Sequence, residues 1–466
     1  MLLKQDKKLG IYSFVILGSL LIDFFYTKTS FLFVLSIILG LQIFHFNYSG
    51  KNFFINPLMI FSVMYFGYSV GGIYYSFSDG DFGKFINFLN LEKTKAEKYL
   101  IYALIYVNIC YLCTAIGYKI FSKDNQNYIL NTELTKSKRS FGSPSTLVVS
   151  LIVIGGFYWI WVSYAIAGGV IDALILFQVF PHLVEEHKIS TAPYLLYFAG
   201  INIWLLRLIE SRSRIGIWFY IFSILGFVIS VSTARISITL TYAFTQMYLV
   251  YMLVPNLRKI IHRCFVLMVL LGFVIFFLRE ISNHLFVNEG LGLDGFELNI
   301  FSSIIGGGNV ADLQQLVIIF IIYGGGEILF GASYFDWLNN AISGFFDLKA
   351  QSVGLRIADL YVPATSGAPT PGAIGEAFAN FHLLAPFVMF IFGVFLAKLN
   401  AFVDNKKSLI LYYLYASFLT SFVFLYPKVD STMVANFFWN SFPALFVLFI
   451  SATVAKIVKY SYIKNN

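Results

Sequence analysis

Long apolar runs, separated by short basic or turn-forming stretches, set the pattern of this chain. Each run is roughly 18 to 24 residues, enough to cross about 30 Å of hydrocarbon as helix. The pattern predicts spans at about 10–26, 30–46, 55–77, 99–121, 146–167, 192–209, 214–232, 236–254, 264–279, 377–398, 408–426 and 434–455. Alternating ten-residue segments, the signature of a membrane barrel, do not occur, and helices satisfy their own backbone in lipid. The expected fold is therefore all-α: a polytopic membrane protein of about twelve helices, with one large outer loop carrying short amphipathic helices.

Composition strengthens the membrane reading. Of the 466 residues, 58% are hydrophobic and 12% charged, against about 25% charged in soluble proteins. Too few charges remain to cover a water-facing surface. The formal charge of +8 does not point to nucleic acid, because the basic residues lie between apolar runs and set topology there. Tyr74, Tyr75, Trp204 and Trp218 fall near predicted helix ends, as interface anchors do. Lys4, Lys7 and Lys8 precede the first apolar run, which lacks a small-residue cleavage site and reads as an anchor. Cys110 and Cys113 form a CxxC inside a predicted span, where small buried residues are a simpler reading than redox or metal chemistry; Cys264 also lies in an apolar run.

Charge then assigns sides. Twenty-one of the 32 basic residues, from Lys4 and Lys51 through Arg258 and Lys398 to Lys464, fall in one alternating set of connections. That set is expected in the cytoplasm, with both termini. The chain divides into N-terminal helices (1–121), a polar cytoplasmic connection (122–145), helices 146–279, a large outer loop (280–376) and C-terminal helices (377–466). A second outer loop, about 168–190, is expected on the membrane surface. Residues 316–331 are apolar enough to tempt assignment as a span, which would put the basic connections after it on the outer side. Gly324, Gly325, Gly326 and Glu327 cut that run, so an interfacial or re-entrant segment is expected.

Ionisable groups at membrane depth are costly and ask for a reason. Arg235, Arg279 and Arg356 are expected on the outer side, with Glu280, Asp359 and Glu376. Arginine suits phosphate because its planar fork binds bidentately and keeps its charge in a dry site. Arg235 follows Ser232, Thr233 and Ala234, small residues that leave room for a ligand; snorkelling to the interface is the plainer alternative. Arg279 reads equally as an interface anchor or as the partner of Glu280, and Arg356 as one half of a salt bridge with Asp359 one turn on. Pro363, Pro369, Thr370 and Pro371 lead into a helix start that places Glu376 in the first turns, where the helix dipole favours a carboxylate. Its functional reading is a base or sugar binder. Asn380, four residues on, shares its face and is suited to a sugar hydroxyl.

Other patterns carry less. Asp79-Gly80-Asp81 has metal-binding spacing but is common in turns, and His182 and His187 beside Glu185 and Glu186 fit a surface loop. No metal or cofactor is expected. Gly290–Gly295 matches a dinucleotide pattern by letter without a βαβ unit, and Gly67–Gly71 matches a nucleophile elbow inside a predicted span. With no P-loop and no soluble domain for a nucleotide sugar, a sugar donor would be lipid-linked.

The segments STARISITLTYAF, GASYFDWLNN and TPGAIGEAFANF resemble motifs of the Wzy-type O-antigen polymerases, the oligosaccharide repeat-unit polymerases. The shared features are a small-residue stretch before Arg235, then Pro363, Thr370-Pro371, Gly375-Glu376 and Phe378-Ala379-Asn380-Phe381. Helix number and the late position of the loop also fit. LYVPATSGAPTP departs from the family in lacking a basic residue between its prolines.

The resemblance implies a GT-C-like membrane glycosyltransferase that joins undecaprenyl-diphosphate-linked oligosaccharide units at the outer face of the bacterial inner membrane. The growing chain would pass from its lipid diphosphate to the incoming unit. Arg235 and Arg356 would bind diphosphate with Arg279 assisting, Glu376 would serve the acceptor hydroxyl, and Asp359, Thr370 and Asn380 would line the substrate site. The implied partners are the lipid-linked oligosaccharide, the bilayer and a chain-length regulator, with no nucleic acid. An O-antigen ligase or another lipid-donor glycosyltransferase shares this layout, and a flippase of lipid-linked sugars is the alternative from another class.

Overall fold

The computed structural model describes residues 56–62, 65, 68, 93–122, 145–179, 192–211, 213, 215–232, 236–265, 313–325, 328–336, 353–354, 356–357, 371–406, 409–427, 431, 434–435, 441–450 and 453. Among these the secondary structure is helical, with no strand. The helices are α1 (Lys93–Phe121), α2 (Thr146–Ala167), α3 (Val170–Val179), α4 (Ala192–Glu210), α5 (Ile217–Ser232), α6 (Ile236–Leu253), α7 (Leu313–Gly324), α8 (Gly372–Phe381), α9 (Ala385–Lys406) and α10 (Leu409–Phe418). A π-helical turn, Leu419–Leu425, continues α10.

Three stretches among the described residues are long and apolar enough to cross a membrane: Lys98–Phe121, Thr146–Ala167 and Gly372–Leu399. Their surfaces suit lipid. On α2, Val153, Phe157, Ile160, Trp161 and Tyr164 are exposed at helical spacing, with Phe157 at 68%, while Val148, Leu151, Ile152, Trp159 and Val162 face inward. Ser163 is buried too and returns its hydroxyl to the Trp159 carbonyl at 2.9 Å. Apolar residues outside and a back-bonded hydroxyl inside are what a lipid solvent demands.

Several expected boundaries recur. Residues 146–167 form α2, ended by Gly168 in the left-handed conformation, with its N–H on the Tyr164 carbonyl. The expected span from 99 begins earlier, at Lys93, and the segment 168–190, expected on the outer side, contains α3. The run expected to be re-entrant contains α7, whose 12 residues reach only about 18 Å at 1.5 Å each. The largest difference concerns the expected span 377–398. The helix starts back at Gly372 and is interrupted by a 3-10 turn at His382–Leu384. Pro386 explains the restart: it has no N–H to return to the His382 carbonyl and fits the first turn of α9. That carbonyl instead accepts the Ala385 N–H and, at 2.6 Å, the Tyr106 hydroxyl. The expected spans 10–26 and 30–46 lie outside the described residues.

The chain forms two compact units. One comprises Met1–Asp124, Asn299–Phe402 and Phe422–Ala435. Here α7 packs on α1 and α8. The α1 and α9 backbones touch at two glycines: a Cβ on Gly117 would overlap the Phe390 carbonyl, and one on Gly393 the Thr114 carbonyl. Close approach through small residues is the usual packing device in lipid, where apolar burial drives little association. The other unit comprises Asn125–Leu298, Val403–Ser421 and Asn436–Asn466. Within it α2 packs along α4 near Gly156 and Gly200. Polar links cross its helices: Trp159 Nε1 donates to Ser232 Oγ at 2.8 Å, and the Thr245 and Thr420 hydroxyls meet at 3.3 Å.

Candidate functional site

The site lies in the first unit and is built around α8. Every residue from Gly372 to Asn380 is buried. The entry is fixed by Gly372 at φ +64, where a Cβ would overlap the Pro427 carbonyl. The left-handed backbone and the crowding both require glycine. The Ala373 N–H donates to the Tyr426 carbonyl at 2.8 Å, and the Tyr68 hydroxyl to the Pro427 carbonyl at 3.1 Å. The chain leaving the π-helical turn thus receives the start of α8. A π turn re-aims the residues that follow it, and such turns collect at functional sites.

Glu376 is fully buried. A buried carboxylate is tolerable only when its lone pairs are filled. Oε1 accepts the Ser333 hydroxyl at 2.8 Å and the Ser431 hydroxyl at 2.6 Å, and Oε2 accepts the Ser431 backbone N–H at 2.8 Å. The Tyr426 hydroxyl faces the same carboxylate. One turn along, Asn380 Nδ2 donates to Ser333 Oγ and to the Glu376 carbonyl, both at 2.7 Å. Its Oδ1 accepts the Gly331 N–H at 2.9 Å. Glu376 and Asn380 therefore share a face, as their spacing predicts, and together clamp the segment Gly331–Asp336.

That segment is a short 3-10 turn, Ala332–Phe335, capped by Asp336. Three residues per turn put Ser333 and Asp336 on its buried side, while Phe335 points outward. Asp336 accepts from Arg356 Nη2 at 3.2 Å. Arg356 stands on a helical turn whose other face, Val353 and Ile357, is buried with Ile318, Ile319 and Tyr323 of α7 and Phe378 and Ala379 of α8. The apolar face docks the turn and leaves the guanidinium outward, with its side chain 31% exposed against 4% for Asp336. Tyr334 stacks on Phe381 with ring centroids 6.2 Å apart. Burial, with the Glu376 charge added, holds its hydroxyl well above the usual tyrosine range, so Tyr334 stays a neutral hydrogen-bonding group.

The structure thus brings together three residues singled out in the sequence: Arg356, Glu376 and Asn380. Arg356 pairs with Asp336, not shown with its expected partner Asp359. Arg235, Arg279, Asp359 and Thr370 lie outside the described residues, as do Asp79, Asp81, His182 and His187. Cys110 and Cys113 are free thiols, the first buried. Among the described residues no group of three or more His, Cys, Asp or Glu side chains is placed to hold a metal. Sequence reasoning missed Ser333, Tyr334, Asp336, Tyr426 and Ser431. Asp336 carried a signal, as an acidic residue inside GASYFDWLNN; the two serines carried none, since hydroxyls are common in loops.

Chemically, the arrangement offers one half-exposed cation beside a sealed, fully hydrogen-bonded carboxylate. The Arg356 side chain is 31% exposed, so an anion can reach it. Glu376 has both oxygens engaged, which suits holding two serine-bearing segments in place better than meeting a substrate. No known protein family, curated protein or solved structure matches this chain.

Proposed function

We propose that this protein is a membrane glycosyltransferase that polymerises undecaprenyl-diphosphate-linked oligosaccharide units. The convergence of Arg356, Glu376 and Asn380 on the segment Gly331–Asp336 carries this reading. All three were chosen from the sequence for sugar-diphosphate chemistry, and two of them lie in or beside motifs that resemble the Wzy-type polymerases. In this reading the chain has about twelve spans, sits in the bacterial inner membrane with both termini in the cytoplasm, and works at the outer face.

The reaction moves the growing glycan from its lipid diphosphate to the incoming unit. The acceptor hydroxyl oxygen bonds to C1 of the donor's reducing-end sugar. The C1–O bond to phosphate breaks, and the diphosphate leaves with the electron pair and takes up the acceptor's proton. Charge develops on the leaving group, so a preorganised cation in a partly dry site is the effective catalyst. Arg356 fills that role, exchanging part of its contact with Asp336 for diphosphate oxygens. Glu376 and Asn380 are positioning residues that fix Ser333 and Asp336 beneath the guanidinium.

Purified protein in vesicles supplied with undecaprenyl-diphosphate repeat units is expected to give a ladder of polymer on a gel. Arg356→Ala is expected to reduce it by at least about a hundredfold, as loss of an oxyanion-type donor does, and to melt lower because Asp336 is left buried without its cation; Arg356→Lys, which keeps the charge but loses the fork, is expected to melt close to the parent and still lose most of the ladder. A normal ladder from Arg356→Ala would refute the assignment. Repeat units transferred once, to a lipid core and not to each other, would favour the ligase.

A further inference from the structure

We propose that α4 and α10 enclose a bound-water site inside the second unit, where water bridges Asn202 and Ser417 beside the Tyr413 hydroxyl. All three residues belong to that unit, and the site stands independently of the glycosyltransferase reading.

Buried hydroxyls follow a common habit in this chain. Apolar surroundings offer them no outside partner, so a bond must close within the protein. Ser62, Thr114, Ser163 and Thr420 each return the hydroxyl to the carbonyl four residues back, at 2.6–2.9 Å. Ser417 on α10 is as deeply buried, yet its hydroxyl has no hydrogen-bond partner, and Ser421 repeats the exception at the next turn. A serine that forgoes its nearest carbonyl is aimed elsewhere. Its neighbours show where. Asn202 of α4 is buried and donates from Nδ2 to the Tyr413 hydroxyl at 3.4 Å. Ser417 and Ser441 stand beside the same hydroxyl. Asn202 Oδ1 is itself buried and without a partner. An acceptor and a hydroxyl, both open, thus flank one tyrosine oxygen.

The chemistry of these groups selects the occupant. Buried polar atoms are almost always bonded, and an ordered water with two to four polar partners is the usual means. Water donates to Asn202 Oδ1, accepts from Ser417 Oγ and has capacity left for Tyr413. A cation would engage lone pairs only. The Ser417 and Tyr413 hydrogens would then have to turn back into the protein for new acceptors. The amide and the hydroxyls are neutral, and a neutral ligand leaves no charge buried among them. The position also gives the water a task. The chain changes from α to π geometry directly after Phe418, and such a change is where an inserted water commonly meets a helix.

Radiolytic footprinting tests the site. A brief X-ray pulse makes hydroxyl radicals from water wherever it is held, and these oxidise the nearest side chains, which mass spectrometry reads. In the full chain in lipid nanodiscs, Tyr413 is expected to oxidise several times faster than Tyr111, which is also buried but has its hydroxyl on Ser62. Asn202→Leu removes the open acceptor at similar volume and is expected to bring Tyr413 down to the rate of Tyr111. Ser417→Ala, the gentler change, is expected to lower it severalfold. Equal rates for the two tyrosines in the parent chain would overturn the site, and that comparison needs no variant to fold. A Tyr413 rate unmoved by either substitution would overturn the bridge. Melting in equal concentrations of sodium and choline chloride reads the occupant. The same midpoint is expected for water, and a higher midpoint in sodium would replace water with a cation.

Discussion

Helices α2 and α8 solve opposite problems. In α2 a cap at each end and one inward stripe suffice, because lipid accepts the rest: Phe157, Trp161 and Tyr164 need no protein partner. In α8 no residue from Gly372 to Asn380 reaches the surface, and the helix carries a carboxylate and an amide into that enclosure. Its stability rests on specific oxygens and hydrogens: the two serines on Glu376, the Gly331 amide on Asn380, and the Tyr426 carbonyl on Ala373. The first helix is held by hydropathy and tolerates change; the second is held by partners and does not.

The sharpest break of that contrast is at Glu376. Glu376→Ala leaves the Ser333 and Ser431 hydroxyls and the Ser431 N–H without an acceptor in a buried site. Unsatisfied buried groups cost about 1–3 kcal/mol each, so a loss of on the order of 3 kcal/mol or more is expected in thermal unfolding in detergent. Glu376→Gln separates geometry from charge. An amide oxygen can take the Ser431 N–H while its NH2 donates to hydroxyls that rotate to accept, so the fold is expected to persist. If Glu376 only positions, Gln is expected to retain polymer synthesis with a shift in KM more than kcat. Complete loss from a well-folded Glu376→Gln protein would show that the charge itself acts in the reaction.

Next in size is the seam between α1 and α9. Gly393→Leu drives a side chain into the Thr114 carbonyl, and the helices can relieve it only by separating. Overpacking costs about 1–3 kcal/mol, to be read as a lower melting temperature. A melting curve equal to the parent's would mean the two backbones do not meet there. Tyr106→Phe is expected to be milder, about 1 kcal/mol. It removes the donor to the His382 carbonyl, which keeps its bond from Ala385 N–H.

The same contrast explains what was legible in the sequence. Residues 146–167 could be placed to the residue because lipid-facing helices are written in hydropathy, with Ser145 and Gly168 as punctuation. The break at 382–384 was not legible from hydropathy, since Leu383, Leu384 and Phe387 keep the run apolar straight through it. Pro386 was the local clue, and its meaning depends on Tyr106, which stands 276 positions from the His382 carbonyl it serves. Glu376 and Asn380 could be chosen because charge and amide are rare in apolar surroundings. Their partners could not: Ser333 and Ser431 stand 43 and 55 positions away from Glu376, and nothing local marks a serine that will meet a carboxylate.

The smallest expected effect sharpens the comparison from the other side. Phe157→Ala on α2 removes a large aromatic, a change that in a buried core costs about 3–5 kcal/mol. Phe157 is 68% exposed, so its loss opens no cavity and leaves no polar group without a partner. Alanine is also the better helix former, by a few tenths of a kcal/mol. The stability change should stay within about 0.5 kcal/mol, with polymer yield unchanged. A loss approaching that of Glu376→Ala would mean that the outward stripe of α2 is covered by protein, not lipid, and the division between hydropathy and partners would have to be redrawn for that helix.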